Sequence, residues 1–269
     1  MNLPDPPPGL GLGLGRGVLH QARAAGLISV ERLVPDPVVA RFVEYYWLVR
    51  WDLDGHAPYE QKVLAHPNVH LVFEAPRPRV YGVDRSLFVR RLEGAGHVLG
   101  VRFRPGAFRP VAGHPVGELA DRSVPAAEYF GSGADRLNAE LLDGEPDAAL
   151  ADAFLRAGLP APDPVAVEVA AVVDRITGTP DLCRVDDLAA ELGLTVRRLQ
   201  RLFAEYVGAS PKWVLRRARL HEAAERARAG GELDLAALAA ELGYSDQAHL
   251  TRDFTAAVGV SPARYATAC

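Results

Sequence analysis

An imperfect repeat in the last third of the chain restricts its possible folds more than any other feature. Leu-Ala-Ala-Glu-Leu-Gly occurs at 188–193 and again at 238–243, and Gly-x-Ser-Pro occurs at 208–211 and at 259–262. Phe203 and Phe254 lie at matching places between these two signatures. A repeat about 50 residues long indicates that one supersecondary unit is used twice.

Each copy of the repeat predicts two short helices joined by a tight turn. In the first copy an apolar stripe ends at Gly193, where a glycine can terminate a helix, and Thr195 is placed to cap the next helix. In the second copy Ser245 or Asp246 serves as the cap, and Phe254 faces inward. Two helices with a short glycine-containing turn form a helix-turn-helix unit, whose second helix enters the major groove of DNA.

The outward faces of the two second helices carry side chains that suit base reading. Arg can bridge the O6 and N7 of guanine, Gln the N6 and N7 of adenine, and Thr offers a methyl group to thymine. Any surface helix can show Arg and Gln, but their recurrence in both copies favours DNA. The predicted base-reading residues are Arg197, Gln200, Arg201, Gln247, Ala248, Thr251 and Arg252. The predicted phosphate contacts are Thr195, Arg198, Lys212, Arg216, Arg217 and Ser245.

The segment 211–228 predicts one helix between the two units, because it starts at a proline and has no breaker before Gly230. Eighteen helical residues span roughly 27 Å, which suits two recognition helices set one DNA turn apart. Nine basic and three glutamate side chains lie between residues 197 and 228, although the whole chain has a net charge of −4. We therefore expect a cationic band on an otherwise acidic molecule, or, alternatively, a solvated face rich in Arg.

The remainder of the chain predicts a β-rich domain with flanking helices. Its apolar segments predict strands at 43–51, 69–74, 87–92 and 98–103, and helices at 107–112, 134–142 and 146–156. The composition predicts a flexible Pro/Gly-rich tail at 1–24, a sensor or dimerisation domain at 25–157, a linker at 158–164 and a helical DNA-binding domain at 165–269. The predicted fold class is α+β, with a cupin-like barrel followed by an all-α domain.

Aromatic residues at alternate positions of segment 43–51 have two interpretations. Tyr45, Trp47 and Trp51 either line a pocket for a small-molecule effector or belong to the core. His66, His70 and Glu74 suggest a metal site, but residues four apart on a strand are ~13 Å apart, too far to bind one ion. We expect no metal or cofactor and no enzymatic activity, since no nucleophile–base arrangement is visible.

Length and composition further limit the class of protein. The 269 residues are 49% hydrophobic and 24% charged, as in globular proteins, and no apolar run approaches the ~20 residues of a membrane span. The N-terminus lacks the pattern of a signal peptide, so we expect a cytoplasmic protein without a membrane partner. Two cysteines are too few for a disulfide framework.

The second unit resembles the hallmark of the AraC/XylS family of bacterial transcription regulators. The resemblance rests on Ala240-Glu-Leu-Gly-Tyr-Ser-Asp-Gln-Ala-His-Leu-Thr-Arg-Asp-Phe254 and on Gly259-Val-Ser-Pro-Ala-Arg-Tyr265. Segments 42–47 and 101–106 are similar to the N-terminal region of some actinobacterial members. The resemblance implies double-stranded DNA and RNA polymerase as partners, activation of transcription, and an N-terminal module that binds an effector or forms a homodimer.

Two alternatives remain open at this point. Within the family, the first unit can read bases while the second only holds phosphates. A different class of function is a ligand-binding or scaffold protein whose helical C-terminal domain contacts another protein.

Overall fold

A computed structural model describes Gly17, Leu19 and residues 26–179, 182–229 and 233–268. Among these residues, eight strands lie in the N-terminal half: β1 (Ile28–Leu33), β2 (Val43–Asp52), β3 (Tyr59–Leu64), β4 (His70–Phe73), β5 (Arg79–Tyr81), β6 (Leu87–Leu92), β7 (Ala95–Phe103) and β8 (Ser123–Pro125). They form a six-stranded sheet in the order β1-β2-β7-β4-β5-β8 and a two-stranded sheet, β3-β6. Every pair of neighbouring strands is antiparallel.

Residues 26–158 also form four α-helices: α1 (Arg109–Ala112), α2 (Ala127–Phe130), α3 (Gly133–Asp143) and α4 (Ala148–Gly158). Short 3-10 helices lie at Val39–Arg41 and Val116–Leu119. Leu141 of α3 and Leu155 of α4 belong to the same buried cluster as Tyr46 and Leu48 of β2. The helices therefore cover one face of the large sheet and leave the other face toward β3 and β6.

The described residues of the C-terminal half form seven helices: α5 (Pro164–Gly178), α6 (Val185–Glu191), α7 (Val196–Tyr206), α8 (Pro211–Arg228), α9 (Leu235–Glu241), α10 (Gln247–Val258) and α11 (Pro262–Ala268). The predicted linker helix and observed α8 have the same bounds. A β-rich domain followed by an all-α domain confirms the predicted fold class. Within the described residues, no helix is long and apolar enough to cross a membrane.

The predicted flexible tail at 1–24 lies outside the described residues except for Gly17 and Leu19. At these two positions the prediction is wrong, because the chain is attached to β3. The Leu19 amide donates to the Lys62 carbonyl at 2.9 Å, and the Leu64 amide donates to the Gly17 carbonyl at 2.7 Å. Leu19 is only 1% exposed, so burial of its side chain reinforces this attachment.

Candidate DNA-binding surface and N-terminal cavity

The first helix-turn-helix unit consists of α6 and α7. Gly193 adopts φ +62° in the turn, a conformation that suits glycine. The Thr195 hydroxyl caps α7 by accepting from the Arg198 amide at 3.2 Å. Leu199 and Phe203 are 1% exposed and fix the orientation of the helix. The opposite face therefore presents four exposed side chains: Arg197, Arg198, Gln200 and Arg201.

The second unit, α9 and α10, repeats this plan. Asp246 is the cap of α10, because its carboxylate accepts from the His249 amide at 2.7 Å. The Ser245 hydroxyl contacts the Asp246 carboxylate and the His249 ring instead. Burial of Leu250 and Phe254 turns the other face outward. Gln247, Ala248 and Arg252 are exposed on that face, and Thr251 is half-buried.

Two residues that were predicted to contact phosphate, Arg216 and Arg217, interact with other groups of the protein instead. Arg216 forms two hydrogen bonds with the Asp253 carboxylate, at 2.9 and 3.0 Å, and so joins α8 to α10. Arg217 is 4% exposed, lies over the Trp213 ring and donates to the Arg85 carbonyl at 2.9 Å. Burial lowers the pKa of Arg217 to about 10. The prediction that Arg217 contacts phosphate is therefore wrong for this conformation: Arg217 faces the N-terminal domain.

The cationic band is weaker than the sequence count indicates. Arg226 pairs with Glu222 and Glu241, Arg228 pairs with Glu225, and Arg219 lies over the Tyr244 ring. Within the described residues of the C-terminal half, six exposed basic side chains make no ion pair: Arg197, Arg198, Arg201, Lys212, Arg252 and Arg264. The unpaired positive charge thus lies mainly on α7, with single side chains on α8, α10 and α11.

A cavity of about 390 Å³ lies between the two sheets of the N-terminal domain. Tyr45, Trp47 and Trp51, the three predicted pocket residues, all line it. The residues between them on β2, Tyr46 and Leu48, point to the other face of the sheet and are at most 2% exposed. Tyr45, Trp47, Val49 and Trp51 therefore line the cavity, whereas Tyr46 and Leu48 belong to the core.

Two arginine side chains of the cavity wall are paired with carboxylates. Arg90 contacts the buried Glu74 carboxylate at 2.7 Å, and Glu74 also accepts from the Tyr81 hydroxyl. Arg102 contacts Glu44 at 2.9 Å. These pairs satisfy the charges that burial would otherwise penalise.

The three residues considered for a metal site all line the cavity: His66, His70 and Glu74. Within the described ranges, no group of three or more His, Cys, Asp or Glu side chains is arranged to hold a metal ion. Burial, with a smaller effect from Arg102, lowers the pKa of His70 to about 3. His70 is therefore a neutral side chain of the cavity wall at physiological pH.

Two segments of the cavity wall also pack against the helical C-terminal half. In β3 and the residue after it, Gln61, Val63 and Ala65 line the cavity. Leu64, which points the opposite way, is fully buried in the core of the second unit. After β5, Gly82 and Asp84 line the cavity, and Val83 between them is buried in the core of the first unit. In each segment, one layer of backbone separates the cavity from the core of one helix-turn-helix unit.

Polar contacts accompany these apolar ones and were not predicted from the sequence. The His66 ring, which lines the cavity, stacks on the His221 ring of α8 with centroids 3.9 Å apart. Arg109 contacts Glu205 of α7 at 2.5 Å. The mixture of polar and apolar residues in Tyr59–Leu64 does not reveal that one face of this strand lines the cavity and the other packs against the helical domain. These surroundings depend on the tertiary fold and not on the local sequence.

Comparison with known families gives two matches. Residues 188–268 match a family described as "Helix-turn-helix domain", and residues 31–125 match "Domain of unknown function (DUF6597)". No curated protein matches the chain.

Several solved structures are similar to this chain. One is an AraC-type transcriptional regulator from Chromobacterium violaceum, at 21% identity over 36% of this chain and 86% of that one, with a TM-score of 0.33. The C-terminal domain of AraT from Geobacillus stearothermophilus has 26% identity over 41% and 89%, with a TM-score of 0.35. ToxT from Vibrio cholerae O395 has 9% identity over 90% and 96%, with a TM-score of 0.38.

The family match coincides with the repeat, and its two units have the capped, glycine-linked geometry described above. Both recognition helices expose Arg and Gln side chains. The chain therefore carries a helix-turn-helix domain at residues 188–268, in which one two-helix unit is used twice.

Proposed function

We propose that α7 and α10 read two successive major grooves and that a small molecule in the N-terminal cavity controls this binding. Arg197, Gln200 and Arg201 would read bases in one groove, and the exposed residues of α10 would read the next. Phosphate contacts would come from Thr195, Arg198, Lys212 and Ser245, with Arg216 limited by its pairing with Asp253. Base edges carry the sequence information, and phosphate contacts fix the register.

The observation that carries the control by an effector is the shared wall between the cavity and the two cores. Leu64 is buried in the core of one helix-turn-helix unit and Val83 in the core of the other, while their neighbours line the cavity. Because packed cores shift between discrete arrangements rather than deform continuously, a ligand that moves either segment changes the packing of a DNA-binding unit. An effector would thereby alter the relative orientation of α7 and α10.

A cavity-filling substitution tests this control before any effector is known. Val63 points into the cavity from β3, whereas Val89 on the neighbouring strand β6 is 47% exposed. Val63→Trp is expected to change the affinity of the full chain for its selected DNA site by tenfold or more, and Val89→Trp by less than twofold. Equal affinities of the wild type and both variants, with the cavity variant folded, would refute control through the cavity.

The resemblance to the family further supports RNA polymerase as a partner, activation of transcription, and a homodimer. A promoter–reporter assay with purified polymerase tests the first two, and sedimentation of the full chain tests the third. In the alternative function the helical domain contacts a protein rather than DNA. If the wild-type chain showed no sequence preference in a selection on randomised DNA, that alternative would be favoured.

A further inference from the structure

Two indole rings form the floor of the cavity. In the β2–β7 register Trp47 lies opposite Gly100 and Trp51 opposite Gly96. A Cβ atom added to Gly100 would come within 1.9 Å of the Trp47 ring, and one added to Gly96 within 2.7 Å of the Trp51 ring. The glycines thus leave room for the two rings to lie against the sheet. The floor offers a wide aromatic surface, which suits stacking by a flat molecule.

The hydrogen-bonding groups of this floor leave one donor for a ligand. The Trp47 indole N–H donates to His70 Nδ1 at 3.2 Å, and the Trp51 indole N–H donates to the Glu93 carbonyl at 3.1 Å. Because His70 is neutral and its Nδ1 accepts, its proton resides on Nε2. Within the described residues this Nε2–H has no acceptor. A ligand that brings a carbonyl oxygen would satisfy it.

The charges around the cavity oppose ions of either sign. The faces of the indole rings carry negative partial charge and repel an anion. Arg102 and Arg90 are paired with Glu44 and Glu74. Arg32 forms no ion pair among the described residues, but it is exposed, so that solvent screens its charge. A cation would meet the guanidinium group of Arg102, which lies 5.2 Å from the centre of the Tyr45 ring.

We infer that the cavity binds a flat, uncharged aromatic molecule that carries a hydrogen-bond acceptor such as a carbonyl oxygen. The inference rests on the proposed function, in which this cavity holds the effector. The cavity volume of about 390 Å³ falls within the ~300–1,000 Å³ of small-molecule sites. Stacking on the Trp47 ring, which lies beside His70, holds the ring system, and the His70 Nε2–H fixes its orientation.

Three probes with one ring system test the charge of the ligand by titration calorimetry on the full chain without DNA. They are 2-naphthamide, 2-naphthoate and 2-naphthylmethylammonium. The neutral amide is expected to bind at least tenfold more tightly than either ion. Val63→Trp, which fills the cavity, is expected to weaken binding of the amide at least tenfold, and the exposed control Val89→Trp by less than twofold.

A second pair of probes tests whether the ligand needs a hydrogen-bond acceptor for His70. His70→Leu removes the donor and is expected to weaken binding of 2-naphthamide about tenfold. It should leave binding of 2-isopropenylnaphthalene, which has a similar shape but no acceptor, within twofold. If His70→Leu does not fold, the same two probes are compared on the wild type, where the amide is expected to bind about tenfold more tightly.

Tighter binding of 2-naphthoate than of the amide would overturn the inference, as would tighter binding of decanoate than of any naphthyl probe. Failure of all naphthyl probes to bind up to their solubility would overturn it too. Binding of the amide without any change in DNA affinity would support the ligand class but overturn control by an effector. The failure of the inference and that of the proposed function are therefore distinguishable.

Discussion

At the scale of single residues, burial decides what a charge can do. Arg217 and Lys212 lie in the same basic segment, yet Arg217 is buried at the domain interface and Lys212 is exposed at the start of α8. A charge count along the sequence cannot separate them, because the N-terminal domain that covers Arg217 is distant in sequence. Arg85, whose carbonyl accepts from Arg217, lies 132 residues away.

Lys212→Ala is expected to reduce the slope of log K against log salt by about 0.9, since one phosphate contact is lost. Arg217→Ala should leave that slope unchanged and lower the free energy of unfolding by ~1–3 kcal/mol, because a buried hydrogen bond is removed. Binding isotherms at four salt concentrations and urea denaturation measure the two effects. A reduced slope for Arg217→Ala would show that this side chain reaches DNA.

His70 gives a prediction about pH. Its pKa of about 3 in the folded chain lies below the ~6.5 of an unfolded histidine, so below pH 6.5 the unfolded state binds more protons. The contribution of neutral His70 to stability is therefore present above pH 6.5 and is lost progressively as the pH falls toward 3. His70→Leu is expected to show a shallower fall in Tm between pH 6.5 and 4 than the wild type. If Tm fell equally with pH in the wild type and in His70→Leu, the lowered pKa of His70 would be contradicted.

At the scale of secondary structure, the linker helix α8 is joined to the second recognition helix by the Arg216–Asp253 pair. Its two hydrogen bonds hold α8 and α10 in one orientation. Asp253→Asn is expected to lower the free energy of unfolding by only about 1 kcal/mol, because the Arg216 side chain is 40% exposed. It should weaken binding to a two-groove site more than binding to a site with only the first groove intact. Equal losses on both sites would indicate that the pair does not set helix orientation.

The helical elements could be predicted from sequence far better than the strands. Capping residues and glycines mark the ends of α7, α8 and α10 locally, and Thr195 caps its helix as predicted. The strands β1, β3, β5 and β8 were missed, because their burial depends on partners far away in sequence. The alternation in β2 predicted an apolar face, but only the arrangement of both sheets decides whether that face meets core or cavity.

The site residues, too, could be predicted from the sequence only where local periodicity determines their position. The faces of α7 and α10 follow from helical periodicity, so the exposed Arg and Gln positions were available from sequence. The contacts of Leu64, Val83 and Arg217 join the two domains and leave no local sequence signal.

At the scale of the whole molecule, the N-terminal domain contributes side chains to both helix-turn-helix cores. Leu64→Ala is expected to lower the free energy of unfolding by ~2–5 kcal/mol, because it leaves a cavity in the core of the second unit. The matched control Val89→Ala, at an exposed position, should change it by less than ~0.5 kcal/mol. Urea denaturation measures both. Equal stabilities would mean that the domains are not packed together as described.

The central claim is that two recognition helices of one chain read two successive grooves. The most direct test is a selection on randomised DNA with the wild type, Arg201→Ala and Arg252→Ala. Each substitution is expected to cost ~1–3 kcal/mol on the best site and to relax base preference at one position, and the two positions should lie about 10 base pairs apart. If Arg252→Ala instead weakened all sequences alike, the second unit would only hold phosphates. Unchanged preference in both variants would contradict the assignment of both faces.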